Sequence, residues 1–199
     1  MKKIIGITGG IASGKTNVCN VLKDLGYKII DCDEIAFTLS KKGNILHREI
    51  IKYFKEDYLL ENGEINRKKL AKTIFNDSEK RKKLDNITHP IIKEELLKRI
   101  NTYKDEEYIF IEVPLLYESK FNLICDLVLC VYLEKPLQIE RLMSREGISY
   151  EYAKAKVESQ MDLALKGEMA DYVIISSGSF DDTKNQIIRF ITRLKEGEI

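Results

Sequence analysis

The sequence contains no apolar run long enough to cross a membrane, because its longest hydrophobic stretches have only the length of a β-strand. The N-terminus lacks the apolar core of a signal peptide. Neither sign of charge is in excess: 33 Lys and Arg nearly cancel 32 Asp and Glu, so no overall field favours nucleic acid or an anionic membrane. These absences predict a cytoplasmic protein that binds small molecules, with no nucleic acid and no membrane as partners.

Cysteine and histidine are too few and too scattered to suggest a zinc site. The four cysteines form no C-x-x-C pair, and the two histidines, His47 and His89, are far apart in the sequence. The ligand spacing of a zinc site is therefore missing. In a reducing compartment we expect all four thiols to act as small apolar residues.

The sequence does contain a phosphate-binding loop. After an apolar run, residues 9–16 read GGIASGKT and fit the pattern G-x-x-x-x-G-K-[ST], and a helical pattern follows. Gly9 and Gly14 allow backbone conformations in which successive N–H groups surround phosphate oxygens. Lys15 brings a positive charge to the β and γ phosphates, and the Thr16 hydroxyl is suited to ligate Mg²⁺. The loop residues predicted to bind nucleotide are Gly10, Ile11, Ala12, Ser13, Gly14, Lys15 and Thr16.

The rest of the chain alternates between strand and helix patterns. Five nearly continuous apolar runs, separated by helical segments, predict a parallel sheet that is covered on both faces, which is an α/β fold. The runs are residues 2–8, 27–31, 108–113, 127–133 and 171–175. In such sheets ligands bind beyond the carboxyl ends of the strands.

Two helical insertions interrupt this pattern. About 75 residues separate the second and third strands, more than the dozen or so that a crossover needs. They contain helical patterns at residues 46–54, 67–75, 79–87 and 90–103, with a turn at 61–63. The second insertion is a charged helical segment over residues 136–166. No Pro/Gly-rich linker is present, so we expect one compact unit over residues 1–199. Its core comprises residues 1–40, 104–135 and 167–199, and the first insertion spans residues 41–103.

Two acidic positions follow predicted strands. Asp33 lies just past the second strand, where a carboxylate can accept the proton of an attacking hydroxyl or help hold Mg²⁺. The alternative is that Asp33 caps the helix that follows. Glu112 ends the third strand, where an acid can contact Mg²⁺ through water or serve a structural role.

Two arginines, Arg141 and Arg145, are four residues apart and therefore share one helix face. Their planar guanidinium groups can donate to two oxygens of a transferring phosphoryl group. The alternative is pairing at the surface with Glu140 or Glu146.

Considered together, these motifs resemble the dephospho-CoA kinase family over nearly the whole chain. The matching segments are GITGGIASGK (6–15), DCDEIA (31–36), ITHPII (87–92), VPLLYE (113–118), QIERLMSR (138–145) and ADYVI (170–174). The resemblance implies a P-loop kinase fold similar to that of nucleoside monophosphate kinases, with residues 41–103 as a helical CoA-binding domain and residues 136–166 as a lid. Three positions depart from the family pattern: Cys32, Lys156 and Ser176.

The activity implied by the resemblance is transfer of the γ-phosphoryl group of ATP, with Mg²⁺, to the 3′-hydroxyl of dephospho-CoA. Lys15, Asp33 and Arg141 are then the expected catalytic residues. Arg145, Ser177 and Gly178 join the loop in binding ATP, and the acceptor is expected to contact Asp33, Arg67, His89, Leu115 and Tyr117. The protein is expected to be a monomer or a small homo-oligomer.

Two other functions remain open at this point. One is a kinase of the same fold for another small hydroxyl acceptor, such as a nucleoside monophosphate or shikimate. The other is a nucleotide-binding switch without catalysis. A GTPase switch would carry an N-K-x-D segment for guanine, and the sequence contains none.

Overall fold

A computed structural model describes residues 2–199. These residues form two compact units, one made of the chain up to Ile30 with Asp105–Ile199, and the other of Asp31–Lys104. The division groups residues 31–40 with the helical unit. Within residues 2–199 no helix is both long and apolar enough to span a membrane.

A five-stranded parallel sheet organises the first unit, as the apolar runs predict. Its strands are β1 (Lys3–Gly9), β2 (Lys28–Asp31), β3 (Tyr108–Glu112), β4 (Leu127–Tyr132) and β5 (Tyr172–Ile175), and their order across the sheet is β2-β3-β1-β4-β5. Ile7 of β1 lies opposite Glu112 of β3 on one side and Leu129 of β4 on the other. This register brings the carboxyl ends of three strands to one edge of the sheet.

Five helices accompany the sheet. With helices numbered along the whole chain, they are α1 (Lys15–Asp24), α6 (Lys135–Glu146), α7 (Tyr150–Glu158), α8 (Leu163–Glu168) and α9 (Phe180–Glu196). An apolar core formed by β1, β4, α1 and α9 includes Ile7, Leu22, Leu129 and Phe190, all fully or almost fully buried. The charged segment over residues 136–166 thus forms three helices, and Gly147, with a φ of 64°, ends the first of them.

The second unit is helical. Its helices are α2 (Cys32–Leu39), α3 (Ile45–Phe54), α4 (Arg67–Asn76) and α5 (Ser78–Thr102). The long helix α5 contacts each of the other three, and Ile92, Leu96 and Ile100 are its buried residues. The predicted break between residues 87 and 90 is wrong, because α5 continues through Pro90. A proline inside a helix costs about 3 kcal/mol, and the burial of Ile92, Leu96 and Ile100 after Pro90 helps to offset that cost. His89 therefore lies within a helix and not at its start.

Candidate active site

The phosphate-binding loop joins β1 to α1, as the motif requires. Gly14 has a φ of 88° and no side chain caps the first turn of α1, so the free N–H groups of that turn can bind an anion. Gly9 is needed for a second reason, which is close packing. A Cβ atom at Gly9 would lie 2.7 Å from the Val131 carbonyl oxygen and 2.6 Å from the Ser13 Oγ.

Lys15 lies across this loop. Its Nζ donates hydrogen bonds to the carbonyl oxygens of Gly9 at 3.2 Å and Gly10 at 2.8 Å. Thr16 follows on the exposed surface of the first turn of α1. Ser13 is 1% exposed, and its Oγ has no hydrogen-bond partner among residues 2–199. The loop therefore combines a cation, free N–H groups and an unpaired hydroxyl, all of which suit a phosphate.

A pocket of about 510 Å³ opens beside the loop, and all the residues that line it belong to the first unit. It brings together predicted residues from three separate segments of the sequence: Ala12, Ser13, Gly14, Lys15, Thr16, Arg141, Arg145 and Gly178. This volume lies within the ~300–1,000 Å³ range of small-molecule sites. The sequence patterns thus identified most of one nucleotide-sized pocket.

Two residues of the phosphate-binding loop, Gly10 and Ile11, do not line the 510 Å³ pocket. Gly10 lines a separate cavity of about 320 Å³, together with Gln138 and Gln160. The backbone N–H of Ile11 donates to the Gln160 Oε1 at 3.2 Å, so the segment between α7 and α8 already engages this group. Ser177 is exposed and is not among the residues that line the 510 Å³ pocket.

Five residues that line the pocket were not among the predicted site residues: Asn17, Ser176, Ser179, Phe180 and Thr183. Phe180 begins α9 and is 54% exposed. A usable sequence signal was present, because Ser179 and Asp182 form a capping box, which marks a helix N-terminus. The capping box marks the start of α9, and Ser179, Phe180 and Thr183 at this start line the 510 Å³ pocket.

Arg141 is fixed in the pocket by a main-chain contact. Its Nη2 donates to the Ser176 carbonyl oxygen at 2.8 Å. Ser176 itself is buried, and its Oγ donates to the Ser13 carbonyl oxygen at 2.7 Å. The serine that departs from the family pattern therefore binds the backbone of the phosphate loop.

Arg145 has a different environment. Its Nη2 lies 2.8 Å from the Glu146 Oε1, so the surface pairing considered as an alternative for this residue is present. Arg145 also lines the pocket. Hydrogen bonds from Lys156 and then from Arg145 lower the pKa of the Glu146 carboxyl. Of the two arginines, Arg141 is the one whose guanidinium is committed to the pocket.

In the second unit, Asp31 and not Asp33 caps α2. The Asp31 Oδ1 accepts hydrogen bonds from the N–H groups of Asp33 at 2.8 Å and Glu34 at 3.2 Å. The capping alternative for Asp33 is therefore wrong, since the preceding aspartate already serves that role. Asp33 lies in the exposed first turn of α2.

Two predicted acceptor contacts also lie in this unit. The Arg67 Nη2 donates to the Ser40 Oγ at 2.7 Å, and its guanidinium lies 4.7 Å from the centroid of the Phe37 ring. The Nε2 of His89 lies 3.6 Å from the Asp85 Oδ1, one turn earlier on the same helix.

The segment after β3 contains the remaining predicted contacts, Leu115 and Tyr117. Leu115 is 41% exposed, whereas Tyr117 is 9% exposed and its hydroxyl has no hydrogen-bond partner among residues 2–199. Burial raises the pKa of the Tyr117 hydroxyl to about 12. This position suits a packing residue, so the structure favours Leu115 over Tyr117 as a contact for a ligand.

Lys166 was not identified by the sequence analysis. Its side chain is fully buried, and its Nζ lies 2.8 Å from the Glu118 Oε1 and 2.9 Å from the Pro114 carbonyl oxygen. Glu118 also accepts from the Met161 N–H at 3.1 Å. The pair thus connects α8 and the chain just before it to the segment that follows β3. A lysine within a charged helical pattern gives no sequence signal of burial.

The loop at the end of β1, the parallel sheet and the arginine-bearing helix together define a P-loop kinase fold. The dephospho-CoA kinase family model matches residues 3–182. A dephospho-CoA kinase of Carboxydothermus hydrogenoformans is 40% identical over 194 residues, covering 96% of this chain and 94% of the relative. The chain belongs to the dephospho-CoA kinase family.

Solved structures agree with this assignment. The dephospho-CoA kinase from Campylobacter jejuni has a TM-score of 0.72 and 32% identity, with both chains covered fully. The protein TT1252 from Thermus thermophilus has a TM-score of 0.84 and 29% identity, covering 97% of this chain and 98% of that one.

Proposed function

We propose that this protein transfers the γ-phosphoryl group of ATP to the ribose 3′-hydroxyl of dephospho-CoA, giving CoA and ADP, the last step of CoA biosynthesis. The observation that carries the proposal is the pocket in which Arg141 joins the phosphate loop, in a chain that belongs to this kinase family. We place the reaction in the cytoplasm and expect a monomer or a small homo-oligomer.

The first unit would hold the donor. The loop N–H groups and the N-terminus of α1 bind the β and γ phosphates of ATP, and Lys15 exchanges its loop carbonyls for phosphate oxygens. Arg141 adds positive charge at the transferring group. Residues 136–166 act as a lid that excludes water and so prevents hydrolysis of ATP.

Magnesium is the cation that we propose to accompany ATP. The exposed Thr16 hydroxyl fits direct coordination, and Glu112, at the end of β3, fits contact through water. Residues 2–199 contain no group of three His, Cys, Asp or Glu able to hold a metal. This agrees with a cation that keeps several waters and is bound largely by phosphates. Mg²⁺ would supply charge that offsets the β and γ oxygens.

The second unit would supply the base. Asp33 accepts the proton of the 3′-hydroxyl as that oxygen attacks the γ-phosphorus, and the bond to the β–γ bridging oxygen breaks to release ADP. Its exposed position in the first turn of α2 supports this role for Asp33. We propose Arg67 and His89 as further acceptor contacts of this unit, and Leu115 as an acceptor contact of the first unit.

A product assay tests the proposal. Purified protein is incubated with ATP, Mg²⁺ and separate acceptors that include dephospho-CoA, a nucleoside monophosphate and shikimate, and products are identified by mass. We expect one added phosphate on dephospho-CoA alone. Phosphorylation of another acceptor in its place would contradict the substrate and leave the kinase class intact. ATP binding without any phosphorylated acceptor would favour a nucleotide switch.

A further inference from the structure

An exposed aromatic ring lies near the proposed base in the helical unit. Asp33, Phe37 and Ser40 are spaced i, i+4 and i+7, so they follow one face of α2 and the residue that caps its end. At 1.5 Å per residue, Phe37 is about 6 Å further along the helix than Asp33. Phe37 is 51% exposed, so its ring is accessible to a ligand.

Two cationic side chains lie beside the Phe37 ring. The Arg67 guanidinium lies 4.7 Å from its centroid and is held there by the hydrogen bond to Ser40, while the Lys41 Nζ lies 5.3 Å away. Phe37, Lys41 and Arg67 line a cavity of about 700 Å³, all of whose lining residues belong to the helical unit. The cavity therefore combines a stacking surface with positive charge.

The acceptor has the matching chemistry. Dephospho-CoA carries its reacting hydroxyl on a ribose, with an adenine on that ribose and a diphosphate on its 5′ side, while the pantetheine arm lies beyond the diphosphate. The group within about 6 Å of the hydroxyl is thus the adenosine and not the arm. Aromatic rings stack on bases regardless of their edges, and arginine and lysine bind phosphate oxygens.

We propose that Phe37, backed by Arg67, is the surface on which the acceptor's adenine stacks, with Lys41 and Arg67 facing its diphosphate. This inference rests on the proposed function and makes Phe37 a specificity-determining residue for the acceptor. The adenine is thereby held about one helical turn from Asp33. This position aligns the ribose hydroxyl with Asp33.

Steady-state kinetics on Phe37→Leu test the inference. Because stacking on an aromatic contributes about 1–3 kcal/mol per base, we expect the KM for dephospho-CoA to rise about 5- to 150-fold. The KM for ATP should not change, and Phe37→Trp should restore the wild-type KM. Phe75→Leu is the matched control, since Phe75 is 52% exposed on α4 of the same unit. It should leave both KM values unchanged.

A truncated acceptor distinguishes contact of the Phe37 ring with the adenine from contact with the pantetheine arm. In adenosine 5′-(methyl diphosphate) the pantetheine is replaced by a methyl group. Phe37→Leu should raise the KM for this compound by the same factor as for dephospho-CoA. An increase confined to dephospho-CoA would mean that the ring contacts the arm, and unchanged KM values for both would mean that it contacts neither. Either result overturns the inference, whereas a wild-type protein inactive on dephospho-CoA would contradict the proposed function instead.

Discussion

The Nη2 of Arg141 donates a 2.8 Å hydrogen bond to the main-chain carbonyl of Ser176. The Ser176 hydroxyl donates in turn to the Ser13 carbonyl at 2.7 Å. Arg141 on α6, the residue just after β5 and the phosphate loop are thereby linked in one chain of contacts. Because the carbonyl is part of the main chain, substitution of the Ser176 side chain leaves the acceptor of this bond in place.

Arg141→Lys should keep the charge but lose the planar fork of donors. We expect kcat to fall at least tenfold, and Arg141→Met to cost roughly the 10³ to 10⁵ in kcat attributed to an arginine at the transferring phosphoryl group. The check is kcat with saturating ATP and dephospho-CoA. Arg189→Lys on the exposed face of α9 is the control and should behave as wild type. Equal kcat for Arg141→Met and wild type would remove Arg141 from the mechanism.

The buried pair Lys166 and Glu118 makes a prediction about stability. Glu118→Ala leaves the fully buried ammonium without its carboxylate, so the free energy of unfolding should fall by about 3–5 kcal/mol. Lys166→Met combined with Glu118→Ala removes both charges and should be more stable than Glu118→Ala alone. Urea denaturation followed by circular dichroism measures both variants. If the loss of unfolding free energy in the double variant equals the sum of the losses in Glu118→Ala and in Lys166→Met alone, the two charges are not coupled.

The raised pKa values of two cysteines predict how the free energy of unfolding changes at alkaline pH. Burial raises the pKa of Cys125 to about 12 and that of Cys130 to about 11 in the folded protein. Unfolded thiols titrate near 8.5, so above that pH the unfolded state releases protons that the folded state retains. The free energy of unfolding should therefore fall as pH rises, by about 1.4 kcal/mol per pH unit for each thiol, until pH approaches 11.

Denaturation midpoints between pH 8 and 10.5 measure this slope. In Cys125→Ala/Cys130→Ala it should be smaller by the contribution of both thiols. The same shifts predict that iodoacetamide leaves Cys125 and Cys130 unmodified in the native protein at pH 8 and modifies them after unfolding, as mass spectrometry would detect. Modification of either residue in the native state would contradict its raised pKa.

Local patterns were enough to predict the sheet and the loop. The five apolar runs fixed the strands to within a residue or two, because a strand buried on both faces needs a continuous apolar run. The conformation of Gly14 and the position of Lys15 followed from the motif, since its chemistry lies within eight consecutive residues. Cys19, Cys32 and Cys130 are buried, as expected of small apolar residues.

Features that depend on packing were not predictable. Pro90 indicated a helix break, and only the burial of residues along α5 explains why the helix continues. Asp33 was the candidate for capping α2, but the hydrogen bonds of the cap are accepted by Asp31. Lys166 resembled a surface residue because its partners are Glu118 and the Pro114 carbonyl, about fifty residues away in the sequence. The burial of α5 and of Lys166 depends on contacts that are distant in sequence, whereas the cap of α2 is a local hydrogen bond.

The most direct test of the proposed reaction is the turnover of Asp33→Asn with ATP and dephospho-CoA, measured beside its affinity for ATP. Glu34→Gln, the neighbouring exposed acid in the same helical turn, is the matched control and should be fully active. We predict that Asp33→Asn binds ATP almost as the wild type does and that its kcat falls by roughly 10² to 10⁴, the loss expected for a general base. Turnover equal to that of the wild type would contradict the assignment of Asp33 as the base.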